Sequence, residues 1–341
     1  MNTGTTRLCY DTSNNLIDNS VPDSTITVER GTTDVLSADN LRTAYTAAKA
    51  LTPGGNALSA TNRAVVMIPA GRYDFVLGDV ADDNHGLELD AQFVDLVGVH
   101  RHRHTVVLTS AIAIASRGTV EQTADDVKIS NLTMEITSAS STGSGATEAA
   151  AYFPTTALAN AVLSDVICQS ENSGVYSMRV GVGYAGTYTR VTGGQQSFAG
   201  SGDASGTFTD CVGGSYSFGY QGTASGTFIR CTSGSNSFGS NGTASGTFTD
   251  CVGGTRCFAA DFGGTASGIF IRCSGEDIAK YATVTSTAQF IDCVNTGIGF
   301  GAYAATPVDA GAVFIRCHGA GTWMNTGTTR LCYDTSNNLI D

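Results

Sequence analysis

Three groups of residues have the types and spacing to do chemistry. The first is a column of charges, Arg190, Asp210, Arg230, Asp250, Arg272, Asp292 and Arg316, set at a nearly constant interval. Carboxylates in such a series could serve as general acids or bases. Their sign alternates at every step, however, so in a stacked structure each charge has an opposite neighbour above and below. Like charges so stacked would repel, and alternation fixes the register by one repeat. That reading makes the column architecture rather than catalytic machinery. The second group is the cysteines, of which Cys211, Cys231, Cys251, Cys273, Cys293 and Cys317 each directly follow one of those charges. No C-x-x-C pair is present, which argues against a zinc site, and the six behave as small buried hydrophobes with free thiols. The third is His100, His102 and His104, interleaved with Arg101 and Arg103. At strand period the three imidazoles share a face and could hold a metal. Between the apolar runs Val97-Gly98-Val99 and Thr105 to Leu108 they read instead as an exposed basic turn, and no metal or cofactor is implied.

The elements that position these groups repeat. The aromatics Tyr188, Phe208, Phe228, Phe248, Phe270, Phe290 and Phe314 are separated by 20, 20, 20, 22, 20 and 24 residues. Each is followed three residues later by Val191 or one of the six cysteines. A second interior column follows: Phe198, Phe218, Phe238 and Phe258 ten residues after the first four aromatics, then Ile278 and Ile298 eight residues after Phe270 and Phe290. An Ala-Ser-Gly corner precedes Phe208, Phe228, Phe248 and Phe270. Self-similarity at a fixed short period marks a solenoid. The units are rich in Thr, Phe, Ile, Val and Gly and contain no helical pattern. About twenty residues then make three strands of four or five residues plus tight corners, one coil of a single-stranded parallel β-helix, with Phe and Cys columns inside and no proline between Pro154 and Pro307 to interrupt the ladders.

Composition narrows the partners. With 341 residues and 41% hydrophobic content the chain can bury a large core, and its net charge of −12 argues against nucleic acid and anionic membranes. No apolar run is long enough to insert into a membrane, and Met1 to Asp18 lacks a basic-then-apolar leader.

Met1 to Asp18 recurs letter for letter as Met324 to Asp341. The chain is then one period of a longer tandem array, or a unit of a head-to-tail fibre, or the product of how its gene was assembled. This divides it into a junction segment (1–24, duplicated at 324–341), an N-terminal cap (25–75), irregular early coils with loops (76–185), and regular coils (186–323). Within the cap, Thr25 to Arg30 alternates as a strand. Asp39 and Asn40 offer N-caps for a helix through Leu51, with Leu41, Ala44, Tyr45, Ala48 and Leu51 on one face. Pro53-Gly54-Gly55 stops it, and Ala64 to Ile68 reads as a buried strand leading into Pro69-Ala70-Gly71-Arg72-Tyr73.

A short amphipathic helix, an apolar strand and P-x-G-x-Y resemble the N-terminal cap of the pectate-lyase-like proteins. The resemblance covers Thr25 to Cys317 and implies a right-handed parallel β-helix whose open first edge the helix covers. That superfamily includes polysaccharide lyases, glycoside hydrolases, phage tailspikes and adhesins, so the resemblance implies fold more than function. The polygalacturonase-type and pectin-methylesterase-type signatures are missing: Asp82-Asp83 and Asp125-Asp126 stand alone. The extra residues of the two longest coils fall at one corner, around Asp261, Phe262 and Gly263 and in Ala302 to Asp309. Loops on one corner of a solenoid are common binding surfaces, so Asp261, Phe262, Glu276, Asp277, Tyr281 and Tyr303 form a candidate carbohydrate-contact patch. The expectation is a non-catalytic structural or adhesive unit outside the cell or on a virion, associating with itself. The alternative is a tailspike-like or secreted polysaccharide lyase or hydrolase.

Overall fold

The computed structural model describes residues 24–76, 86–100, 102–111, 118–137, 149–153, 160–170, 176–180, 183–199, 202–260, 263–297, 300, 308–309, 311–319, 328–330, 332–333 and 339–340, with strand pairing also at 9–10 and 16–17. The fold is a right-handed parallel β-helix. Its spine is one parallel sheet running unbroken from Thr25–Thr27 through Ala64–Ile68, Val94–Gly98, Lys128–Ile136 and Val162–Ser170, then through one triplet per regular coil to Thr328–Arg330. A four-stranded sheet (Leu87–Leu89, Gly118–Gln122, Ala149–Phe153, Tyr176–Val180) walls the early coils. Two six-stranded sheets wall the later ones.

The N-terminal helix spans Asp34–Lys49, five residues ahead of Asp39, so neither Asp39 nor Asn40 is its cap. Thr33 caps it: its hydroxyl accepts from the Leu36 amide at 3.1 Å, and Ser37 Oγ donates back to the Thr33 carbonyl at 2.7 Å. Asp34 in the first turn adds the favourable dipole interaction. The expected face is the buried one, with Leu41, Ala44, Tyr45 and Ala48 packed against the solenoid and Leu51 at its margin. The helix lies over Thr25–Thr27, Ala64–Ile68 and Gly71–Phe75 and covers the first coils.

In the regular coils most strands are shorter than the expected four or five residues. Thr207–Thr209 is a triplet and Asp203–Ala204 a pair, and the spaces between are turns. Left-handed residues make those turns: Asp210 (φ 53°), Tyr216 (61°), Phe218 (52°) and Gly219 (77°) in one coil, with equivalents in the next. The Ala-Ser-Gly corner has a steric cause. A Cβ at Gly206, Gly226, Gly246 or Gly268 would lie 2.1–2.3 Å from the carbonyl oxygen of the corner glycine one coil earlier.

The two ring columns form the core. From Tyr188 to Phe314 successive rings stack with centroids 4.6–5.0 Å apart and planes within 10°. Phe198, Phe218, Phe238 and Phe258 make a second stack at 4.6–4.8 Å, which meets the first edge-to-face. Both geometries suit the ring quadrupole. The second column shifts after Phe258. The amides of Phe238 and Phe258 donate to Ser217 and Ser237, and the corresponding donor to Cys257 is Ala279, one residue past Ile278. Ile278 is buried beside that slot rather than in it. Ile298 lies outside the described residues, and in that coil the Phe300 ring packs edge-on against Phe290 and Phe314.

Candidate functional site

The charge column sits where the spine strand turns. Asp165, Arg190, Asp210, Arg230, Asp250, Arg272, Asp292 and Arg316 all adopt left-handed backbone, φ 51–56°. Where the corner amides are placed, each donates forward to the next coil, as Asp210 does to Ile229 and Arg230 to Thr249. With side chains one coil apart, every arginine reaches back. Arg190 pairs with Asp165, Arg230 with Asp210, Arg272 with Asp250 and Arg316 with Asp292, each through Nε and Nη2 to the two carboxylate oxygens at 2.6–2.8 Å. The opposite neighbour on the far side of each charge attracts it without a bidentate bond. The ladder is therefore a series of clamped pairs, two coils per pair. Arg103, from the His100 turn, donates to the Arg190 carbonyl at 2.7 Å and tops the first pair.

These pairs set the chemistry. Hydrogen bonds from arginine hold the carboxyls of Asp165, Asp210, Asp250 and Asp292 below the usual carboxylate range. A carboxylate held ionised with both oxygens occupied is a poor proton donor to a glycan. Beside the pairs, the column cysteines are free and fully buried. Each of the six thiols points at the carbonyl of the aromatic in the preceding coil, 3.3–3.4 Å away. In the early coils burial alone pushes the Cys168 thiol up to about 12. His100 and His102 are exposed in a turn with rings 5.2 Å apart. Among the described residues no three His, Cys, Asp or Glu side chains converge as a metal site would require.

The proposed glycan patch is placed in part. Glu276, Asp277 and Tyr281 come together at one turn, whereas Asp261, Phe262 and Tyr303 lie outside the described residues. Asp277 is only 5% exposed, and its carboxylate takes a bond from the equally buried Lys280 at 3.0 Å. Lys280 in turn lies 5.1 Å from the centre of the Tyr281 ring. Burial disfavours the ammonium, but the Asp277 contact outweighs it and raises the Lys280 pKa. Glu276 is exposed and accepts from the Thr255 hydroxyl at 2.8 Å. Glu276 and Tyr281 present the accessible groups here, and Asp277 faces inward.

The early coils carry a second set of carboxylates that no motif announced. Across the four-stranded sheet, Glu88, Glu121, Tyr152 and Arg179 occupy one row. Leu87, Leu89 and Val120 point into the core, so alternation turns Glu88 and Glu121 to the outer face. Glu121 is nevertheless 2% exposed. On the adjoining spine strands Thr109, Glu135 and Gln169 form another outward row. There Arg72 Nη1 lies 2.9 Å from Glu135 Oε2, and Gln169 donates to Glu135 Oε1 at 2.9 Å. Period-two alternation in Lys128 to Ile136 places Glu135 outward. Its partners, 34 to 63 residues away in sequence, left no local signal.

By sequence the chain matches no family profile and no curated protein. Three solved structures are similar in shape. The ORF18 protein of Geobacillus virus E2 aligns at TM-score 0.41 and 11% identity over 91% of this chain, and the chain spans 60% of that protein's length. The pectin methylesterase PemA from Erwinia chrysanthemi aligns at TM-score 0.31 and 14% identity, covering 93% of this chain and 84% of that one. Rice weevil pectin methyl esterase aligns at TM-score 0.31 and 9% identity, covering 92% and 81%.

Proposed function

We propose that the chain is a non-catalytic structural or adhesive rod, one unit of a fibre or tandem surface array outside the cell or on a virion. The observation that carries this reading is the uninterrupted repetition of one contact set: rings stacked at 4.6–5.0 Å from Tyr188 to Phe314 beside clamped Arg–Asp corners from Asp165 to Arg316. A stack in which every coil meets the next in the same way is stiff along its axis, and each coil depends only on its neighbours. The accessible groups of Glu276 and Tyr281 are where a polysaccharide would be held. Electron microscopy of negatively stained protein over a concentration series tests the reading. Unbranched filaments with an axial repeat of one unit are expected, and isolated short rods at every concentration would overturn it.

One observation favours a second reading, a polysaccharide-cleaving rod. Glu88 and Glu121 stand on adjacent strands of the outer face, and glycoside cleavage uses paired carboxylates. Release of reducing ends by the native chain, abolished by Glu121→Gln, would establish it. No release from a broad panel of glycans would remove it.

A further inference from the structure

The duplicated segment behaves differently at the two ends of the chain. Near the C-terminus it is a coil of the solenoid. Thr328–Arg330 pairs in parallel with Val313–Ile315, and Cys332 is fully buried against Cys317 at the end of the cysteine column. The Tyr333 amide donates to the Cys317 carbonyl at 2.9 Å, and the Tyr333 ring stacks on His318 at 5.2 Å and 19°. The coil then closes on itself as an antiparallel hairpin, Cys332 opposite Ile340 and Tyr333 opposite Leu339.

At the other end the same letters form the same hairpin in the same register, Cys9 opposite Ile17 and Tyr10 opposite Leu16. Among the described residues that hairpin is a two-stranded sheet of its own, joined to no other sheet. A lone two-stranded hairpin is marginal in water, and its sequence matches, residue for residue, the segment that the solenoid end at Val313–Gly319 already accepts.

We propose that residues 1–18 are the docking element by which one copy of this chain caps the C-terminal end of a second copy. This deepens the fibre reading and rests on it. The occupant has to come from another molecule. Along the spine, twelve interstrand steps separate Thr25–Thr27 from Thr328–Arg330, which at about 4.8 Å each is roughly 58 Å. The link from Ile17 to Thr25, eight residues on, reaches at most about 29 Å when fully extended. A chain cannot lay its own N-terminal copy on its own last coil. A second copy can, with Cys9 filling the place of Cys332 and Tyr10 stacking on His318. Its solenoid then continues from the docked hairpin, so the contact joins head to tail and does not close. Because both copies make the same contacts, the tethered C-terminal copy wins at low concentration through its high local concentration. Exchange takes over when that copy is displaced or the protein is concentrated.

Cys332→Glu tests this in the full chain. It places a charge at a fully buried position, expels the C-terminal copy and leaves the N-terminal one intact. The variant is expected to form oligomers that lengthen with concentration in sedimentation and in micrographs. Free peptide of residues 1–18 should cap the ends and return it to monomers, and Cys9→Glu/Cys332→Glu should stay monomeric. If Cys332→Glu fails to fold, fluorescent 1–18 peptide is titrated to near-millimolar concentration into the native chain instead, enough to compete with the tethered copy, where saturable binding that a Cys9→Glu peptide lacks is expected. A folded Cys332→Glu that stays monomeric to near-millimolar concentration overturns the proposal, as does absence of peptide binding. Filaments formed equally by the double variant overturn the exchange and leave the fibre reading standing. Monomers for native chain and variants alike at every concentration overturn both.

Discussion

Between Ala64 and Val180 the coils bury aliphatic side chains, among them Val66, Ile68, Leu96, Leu108, Ile129, Leu132 and Met134, on strands of up to nine residues. Between Thr187 and Gly319 they bury stacked rings and thiols on strands of two to four residues. The spine passes from one half to the other without a break: Leu163 pairs with Tyr188, and Asp165 supplies the first clamp for Arg190. The same register is thus held in two ways. In the early half long ladders and individual buried contacts hold it. In the regular half each coil copies the one below, and left-handed corners replace strand length.

The contrast can be broken first at the rings. Phe228 touches Phe208 and Phe248 face to face and Phe218 and Phe238 edge-on. Phe228→Ala is expected to cost about 3–5 kcal/mol by opening a cavity that the flat neighbours cannot fill, read from urea or thermal unfolding. Paired with Phe248→Ala it should depart from additivity by about 0.5–1.5 kcal/mol, since the two rings share a face. Paired with Leu96→Ala in the early half it should add to within about 0.5 kcal/mol. Additivity in both pairs would mean that the stack carries no energy of its own.

The ion pairs separate the halves next. Arg63 binds Asp95 in the early coils with side chains 13% and 8% exposed, and also donates to the Asp126 carbonyl. In the regular coils Arg230 and Asp210 are 54% and 37% exposed. Arg63→Met leaves a buried carboxylate without its partner and should cost about 3 kcal/mol. Arg230→Met should shift the melting temperature little, and less still at high salt. Acid sharpens the point. The clamped aspartates are held below their unfolded pKa, so their contribution is full above the unfolded value of about 3.9 and lost as the pH falls through the folded one. The native chain should lose a small increment below about pH 4, and that increment should shrink in Asp210→Asn/Asp250→Asn/Asp292→Asn, which keeps only the Asp165 clamp.

What the sequence disclosed follows the same division. The regular half was legible because one coil is a complete local code. The Phe and Cys columns, the small corner and the alternating charges recur at a spacing that only stacking explains. In the structure Leu163 and Asp165 continue the ring and corner columns one coil earlier. Two details escaped it. The strands proved shorter because the left-handed conformation of Tyr216, Phe218 and their equivalents is a backbone choice that no residue type there announces. The slide from Phe258 to Ala279 arises because the slot falls nine residues after Phe270 where it fell ten after Phe248, one residue fewer, which the interval between rings does not reveal. In the early half the helix face was legible from its period, but its start was not: Thr33-Asp34 is as good a cap as Asp39-Asn40, and tertiary contact chose between them. Glu121 was illegible as a buried group, since alternation says which way a side chain points and not what lies over it.

The smallest expected effect lies in the cysteine column and separates packing from chemistry. Val191 and Cys211 occupy equivalent places one coil apart, both fully buried, so the slot accepts a branched hydrocarbon as well as a thiol. If cysteine is there for size, Cys231→Val should change stability by less than about 1.5 kcal/mol, losing the weak contacts from sulfur to the Phe208 carbonyl at 3.4 Å and the Ile229 carbonyl at 3.6 Å. The native protein should also leave Cys231 unmodified by a thiol reagent until it unfolds, because its fully buried sulfur is out of the reagent's reach. A large loss of stability in Cys231→Val, or rapid labelling of Cys231 in the folded chain, would mean that the column does more than fill space. In that case the resemblance between the halves would end at the spine.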